Sequence, residues 1–283
     1  MAVEAAFSSP STVEEALRLL ADDVGGPSAP LAGGTDLLLD LDDGRSNARR
    51  LVSLDRLPWK TLAWDGPRLN VGATLPLARL GSDPTVRARL PGLSEGVDAV
   101  GSLALRHRAT LGGNLGRAAP ASDLLPILLA VDATVRLVGT AGSRELPVAR
   151  FLRGSRDVDL AKGELIESVS IPEAPESTYV WQRVRPANDV SQVGVAVARS
   201  GSPARWHLAL GGVLPVPTRI HEAEAHLSEE HPGPADVELA ANAAATHARF
   251  VTDKRASEAY RRRLVATLVR RAVARAQTPS GER

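Results

Sequence analysis

The chain has 283 residues, 43% of them hydrophobic and 24% charged, with a formal net charge of +1. At roughly 150 residues per domain, this length suggests about two domains and a sizeable core, and the balanced charge excludes a global field for nucleic acid or a membrane surface. There is no cysteine, so disulfides, thiolate zinc sites and cysteine-ligated iron–sulfur clusters are excluded within this chain, and any such cluster must belong to a partner.

Lys stands only at Lys60, Lys162 and Lys254, and three Phe and two Tyr leave little for a base-stacking platform. The N-terminal "MAVEAAFSSPSTVEEAL" has an early acid and no cationic start before a long apolar run. No signal peptide and no stretch of about 18 apolar residues is read, and a cytoplasmic protein is expected. "STVEEALRLLADD" reads as a short helix, with Thr12 and Glu15 in capping-box spacing and Leu17 and Leu20 opening an apolar stripe. "LAGGTDLLLDLDDG" then carries an apolar entry into two glycines and a leucine-rich run, and "RRLVSLDRL" supplies a strand that ends the first α/β unit.

"LNVGA" alternates like a strand, and "LPLARL" and "LSEGVDAV" read as helical. The run Leu124 to Val131 reads as a buried helix, "ATVRLVGTAGSRELPVARFL" as two strands joined by a turn, and "GELIESVSIP" as a strand stopped by proline. "TYVWQRVR", "SQVGVAVARS" and "ARWHLALGGV" predict a three-stranded antiparallel sheet, and the remainder is helical. The last helix carries Leu264, Val265, Leu268, Val269, Ala272 and Val273 in one stripe. A boundary falls near Pro172–Pro175, and the irregular order of elements disfavours a simple Rossmann domain.

Two glycine-rich segments carry the chemistry. "AGGTDL" spans Ala32, Gly33, Gly34, Thr35, Asp36 and Leu37, and "TLGGN" spans Thr110, Leu111, Gly112, Gly113 and Asn114. Glycine lets backbone N–H groups approach an anion, and Thr or Asn at the edge adds side-chain donors. Either segment alone is an ordinary turn. Two together point to a pyrophosphate clamped from both sides, although neither G-x-x-x-x-G-K-[ST] nor G-x-G-x-x-G is present.

"LAGGTDLLLDL", "LNVGATLPLARL", "LRHRATLGGNLGRAAPASDLLPILLAVDATV", "GELIESVSIP" and "AYRRRL" follow the order of one family. The chain resembles, over nearly its whole length, the FAD-binding medium subunit of the molybdenum hydroxylases, the family of xanthine dehydrogenase and carbon monoxide dehydrogenase. The resemblance implies an α+β protein with a two-subdomain FAD-binding fold similar to that of vanillyl-alcohol-oxidase-type flavoproteins. It places the FAD domain at residues 1–174, with subdomains of about 1–57 and 58–174, and a C-terminal α+β domain at 175–283. It implies non-covalent FAD held by Leu31 to Leu37 and Thr110 to Asn114, with Asp123 at the flavin nucleotide and Ile166 and Gln182 near the isoalloxazine. It also implies partners: a small subunit with two [2Fe–2S] clusters, a large subunit with the molybdenum cofactor, a dimer of heterotrimers, and an external electron acceptor. No side-chain acid or base is expected to be indispensable, because the flavin carries the redox chemistry.

The family usually has Asn where His107 stands and often Gly where Ala109 stands; His107 reads as a polar replacement on a surface loop. His221 and His226 in "HEAEAH" are five apart, not the four of a zinc-protease helix. "DLDDG" lacks the later bidentate Glu of a calcium loop, so Asp42 and Asp43 read as an exposed turn. Arg106 and Arg108 read as solvated or paired, and "YRRRL" as a charged helix face. Two other functions fit less well: a stand-alone FAD oxidoreductase, for which the tail after Pro175 is small, and a binding module without cofactor. In that module several glycines could become Ala at a gain of about 0.4–1 kcal/mol wherever φ permits.

Overall fold

The computed structural model describes residues 5–22, 25–186, 188–200, 205–227, 231–250 and 252–278; the first four residues of the N-terminal stretch read above lie outside them. The chain begins with β1 (Ala6–Ser8), α1 (Val13–Ala21), β2 (Ser28–Leu31), α2 (Leu37–Asp42) and β3 (Arg50–Ser53). Thr12 caps α1 by accepting from the Glu15 N–H at 3.2 Å, while the Glu15 carboxylate reaches back to the Ser11 N–H at 3.1 Å. The strands form a parallel sheet in the order β1-β3-β2. Ala16, Leu17 and Leu20 of α1 bury against Val52, Leu54, Leu57 and Trp59.

The middle of the chain holds β4 (Leu62–Asp65), β5 (Arg68–Gly72), α3 (Leu77–Ser82), α4 (Pro84–Arg89), α5 (Pro91–Ala99), α6 (Leu103–Arg106), α7 (Leu111–Arg117) and α8 (Leu125–Ala130). It continues with β6 (Thr134–Gly139), β7 (Gly142–Pro147), α9 (Val148–Phe151), β8 (Leu152–Gly154), β9 (Asp157–Val158) and β10 (Leu165–Pro172). Five of these strands form an antiparallel sheet in the order β4-β5-β10-β6-β7. Period-two alternation turns Leu69, Val71, Val135, Leu137, Val169 and Ile171 into the largest core, under helices α3–α5, α7 and α8. Leu125–Ala130 is the buried helix expected for that apolar run.

The last part consists of β11 (Glu176–Gln182), β12 (Val193–Ser200), β13 (Arg205–Gly211), β14 (Thr218–Arg219), α10 (His221–Ala225), α11 (Pro234–His247) and α12 (Glu258–Gln277). The three predicted strands are present, and a two-residue fourth, β14, extends the sheet to β11-β12-β13-β14. This sheet is buried on both faces, which is why its strands read as near-continuous apolar runs. Tyr179, Ala196, Ala198 and Ala209 face the large core, where α5 and α8 lie against them. Val180, Val193, Val195, Val197, Leu208 and Leu210 face α11 and α12. Of the predicted α12 stripe, Val265, Leu268, Val269, Ala272 and Val273 are buried and Leu264 is half-buried, but "YRRRL" is not simply a charged face. Arg261 is buried, pairs with Asp253 at 2.7 Å and donates to the Gly212 carbonyl at 3.0 Å.

Candidate functional site

The first glycine segment leaves the end of β2 and turns into α2. Gly34 sits at φ +75°, a conformation that a side chain disfavours. Gly33 is glycine for a different reason. A Cβ there would lie 2.0 Å from the Arg108 carbonyl oxygen and 2.7 Å from its carbon. Gly33 therefore abuts the backbone just ahead of the second segment, although 75 positions separate Gly33 from Arg108 in sequence.

The second segment is not a loop. Thr110 is the N-cap of α7, with φ −125° and ψ 158°, and its Oγ1 accepts from the Gly113 N–H at 3.1 Å. Gly112, Gly113 and Asn114 form the first helical turn. The cap preference of Thr explains the start. The helix keeps Gly112 despite its poor propensity because Ala73 is too close: a Cβ would meet Ala73 Cβ at 2.6 Å and its carbonyl oxygen at 2.8 Å.

Between the two segments lies a cleft of about 530 Å³, lined by Ala32 to Leu37 on one side and by Thr110, Gly112, Gly113 and Asn114 on the other, with Ile166 also in the lining. That volume is in the range of cofactor sites. The backbone bonding of the two sides differs. The Gly112 N–H is taken by the Ala73 carbonyl at 3.0 Å, and the Gly113 N–H by Thr110. The N–H groups of Gly33, Gly34, Thr35, Asp36 and Leu37 have no acceptor among the described residues. Five successive donors without an acceptor, around a left-handed glycine, are a pattern that can receive an anion.

The side chains add neutral donors. Asn114 uses its oxygen to accept from Ser122 at 2.7 Å, and its two N–H groups have no acceptor among the described residues. Thr74, missed by the sequence reading although it lies inside a quoted motif, is 4% exposed and lines the cleft, and its hydroxyl has no partner among the described residues. Among the described residues Arg117 is the one cation in the lining, and it is already neutralised. It pairs with Asp40 through both terminal nitrogens and with Asp36 at 3.4 Å; Asp40 also meets Arg45 at 2.9 Å. The Arg117 hydrogen bond holds the Asp40 carboxyl below its usual range. Nothing in the sequence connects residues 40 and 117. An anion in this cleft would therefore meet backbone dipoles and amide donors, not a free guanidinium.

Four residues expected at the site lie outside the lining. Leu111 is fully buried in the large core, and Leu31 packs toward Leu41, Ala48 and Leu51. Gln182 donates to the Arg183 carbonyl at 2.8 Å. Asp123 points toward the C-terminal sheet, where its Oδ1 accepts from the Tyr179 hydroxyl at 2.8 Å and the Ser191 hydroxyl at 2.5 Å. Burial pushes its carboxyl up to about 6, against the two hydrogen bonds and the Arg183 charge.

The competing motifs contribute no site. His221 contacts Glu224 at 2.9 Å, and no group of three metal-binding side chains occurs among the described residues. Asp42, Asp43 and His107 are exposed. Arg106 donates to the Asp98 and Val100 carbonyls at the C-terminal end of α5. No helix among the described residues is long and apolar enough to cross a membrane.

Residues 3–174 match the family described as the FAD binding domain in molybdopterin dehydrogenase, and residues 179–276 match the carbon monoxide dehydrogenase flavoprotein C-terminal domain. The chain belongs to the FAD-binding subunits of the molybdopterin dehydrogenases. This flavoprotein subunit is 28% identical to a putative xanthine dehydrogenase FAD-binding subunit of Escherichia coli, covering 98% of this chain and 97% of that one. It is 31% identical to the 6-hydroxypseudooxynicotine dehydrogenase complex subunit alpha of Paenarthrobacter nicotinovorans, covering 94% and 92%. Its structure superposes on a chain of carbon monoxide dehydrogenase from Hydrogenophaga pseudoflava with a TM-score of 0.90, 27% identity and 98% of each chain covered. The flavoprotein subunit is thus part of an oxidoreductase, and its cofactor is FAD.

Proposed function

We propose that this chain is the electron-transfer subunit of a molybdenum-dependent hydroxylase or dehydrogenase, linking [2Fe–2S] clusters on a small partner subunit to an external acceptor. The observation that carries this reading is the run of five unpaired N–H groups from Gly33 to Leu37, facing a donor-bearing helix start across one cleft. The free amides of Gly33 to Leu37 would hold the FAD pyrophosphate, with the Asn114 amide and the Thr35 and Thr110 hydroxyls as further donors. Ile166 and Val100 supply apolar lining that keeps water from the bound group. The Arg117–Asp40 pair stiffens the junction of α7 and α2 and takes no part in the redox step. When bound, FAD supplies the redox chemistry, and the chain supplies position and environment. A chain without cysteine needs partners for its iron–sulfur clusters, and the molybdenum cofactor would reside on a large third subunit. The complete particle is read as a dimer of heterotrimers.

Purification of the chain with its native partners tests this. The expected result is a yellow complex with a flavin spectrum, one small iron–sulfur chain and one large molybdenum-containing chain per copy, with a mass fitting two of each. A colourless protein that ignores added FAD refutes the cofactor assignment. Turnover of a small substrate by the isolated chain refutes the partner assignment and favours a stand-alone FAD oxidoreductase.

A further inference from the structure

The segment Ala119–Asp123 is bonded on two sides. On one side is the cleft. The Ser122 Oγ accepts the Leu124 and Leu125 N–H groups at 3.2 and 3.3 Å, which uses both of its lone pairs. Its own proton must go elsewhere, and it meets the Asn114 side chain at 2.7 Å. Ser122 is therefore a committed donor, and only the oxygen of the Asn114 amide can face it. The Asn114 NH2 is turned away from Ser122 as a pair of donors without an acceptor among the described residues, on a residue that lines the cleft.

On the other side is the C-terminal sheet. The Gly212 N–H donates to the Pro120 carbonyl at 2.8 Å, and the Tyr179 and Ser191 hydroxyls converge on Asp123 at 2.8 and 2.5 Å. Tyr179 is fully buried, and its hydroxyl passes over Gly194, diagonally across on β12, where a Cβ would lie 2.1 Å from it. These bonds join residues far apart in sequence and leave the Ser122–Asp123 pair little freedom.

We propose that this turn is a relay through which the C-terminal domain fixes the Asn114 amide as a donor toward an oxygen of the flavin nucleotide. Ser122 positions Asn114 directly, and Tyr179 and Ser191 act through Asp123. The relay rests on the flavin reading above. It gives the C-terminal domain a part in cofactor affinity although Tyr179 and Ser191 do not line the cleft.

The test is titration of the full-length, flavin-stripped chain with FAD, read by quenching of flavin fluorescence, with the melting temperature of each flavin-free variant recorded separately. Ser122→Ala is expected to weaken FAD about ten-fold, as for loss of one hydrogen bond to the ligand, while Ser122→Thr retains affinity within about two-fold. Tyr179→Phe, which keeps the ring, is expected to weaken FAD about three-fold. In an Asn114→Ala background, neither Ser122→Ala nor Tyr179→Phe should weaken FAD further, because both act through that amide. Wild-type affinity in Ser122→Ala, or equal losses with and without Asn114, overturns the relay. A wild-type chain that takes up no FAD refutes the flavin reading itself, and the relay with it.

Discussion

Gly33 and Gly113 look equivalent in sequence, and the structure predicts opposite behaviour for them. In Gly33→Ala the new Cβ would stand 2.0 Å from the Arg108 oxygen. A normal contact needs about 3.5 Å, so Gly33 and the Arg108 backbone must separate by roughly 1.5 Å, and neither can rotate aside. Overpacking of this kind costs about 1–3 kcal/mol, and the rigid neighbour puts Gly33→Ala at the upper end. The same movement spoils the cleft. In Gly113→Ala the Cβ meets only Thr110 Oγ1 at 3.0 Å and Ala32 Cβ at 4.0 Å, on a residue that lines the cleft. Helix propensity favours that change by about 1 kcal/mol, offsetting the tight contact with Thr110. Urea unfolding of the flavin-free chains, paired with FAD titration, separates the two effects. Gly33→Ala should lose both stability and FAD, whereas Gly113→Ala should keep stability and lose FAD. Wild-type stability in Gly33→Ala would refute the close approach as the reason for that glycine, and wild-type FAD affinity in Gly113→Ala would remove the first turn of α7 from the site.

Two further outcomes follow from buried polar groups. Thr74→Val keeps the β-branched shape and deletes a hydroxyl without a partner, so the flavin-free chain should melt about 2–4 °C higher; a lower melting temperature would show that the hydroxyl is satisfied. The Asp123 carboxyl is raised from 3.8 to about 6 in the folded chain, so the folded state binds the extra proton between these values. Stability from this group is full below pH 3.8 and is lost as pH rises through 6. Asp123→Asn, which stays neutral, should therefore gain on the wild type by up to about 3 kcal/mol between pH 4 and 7.5, read by urea titration at each pH. A difference that does not change with pH would show that this carboxyl does not titrate as buried.

Much was legible in the sequence because it is locally encoded. The α1 cap at Thr12, the buried helix at Leu125–Ala130, the apolar strands β11 to β13 and the α12 stripe each follow from residue type and period within one window. The two glycine segments were visible as a pair, and one cleft receives both. What the sequence could not separate was why each glycine is there. Gly34 answers to its own backbone angle, but Gly33 and Gly112 answer to Arg108 and Ala73, neighbours that exist only after the chain has folded. The same holds for Thr110 to Asn114, whose glycines suggested a loop until the Thr110 cap and the packing on Ala73 made it a helix. The two partners of Asp123 are 56 and 68 positions away and the Arg117 partner of Asp40 is 77 away, and no period or spacing marks them. The sequence alone determined where the α1 cap, the buried helix, the apolar strands and the α12 stripe fall, and it paired the two glycine segments. The tertiary structure decided which amides stay unpaired among the described residues, which carboxylates are already satisfied, and how the C-terminal sheet bonds to the Ala119–Asp123 turn, because hydrogen-bond partners across a fold are set by packing rather than by neighbouring residues.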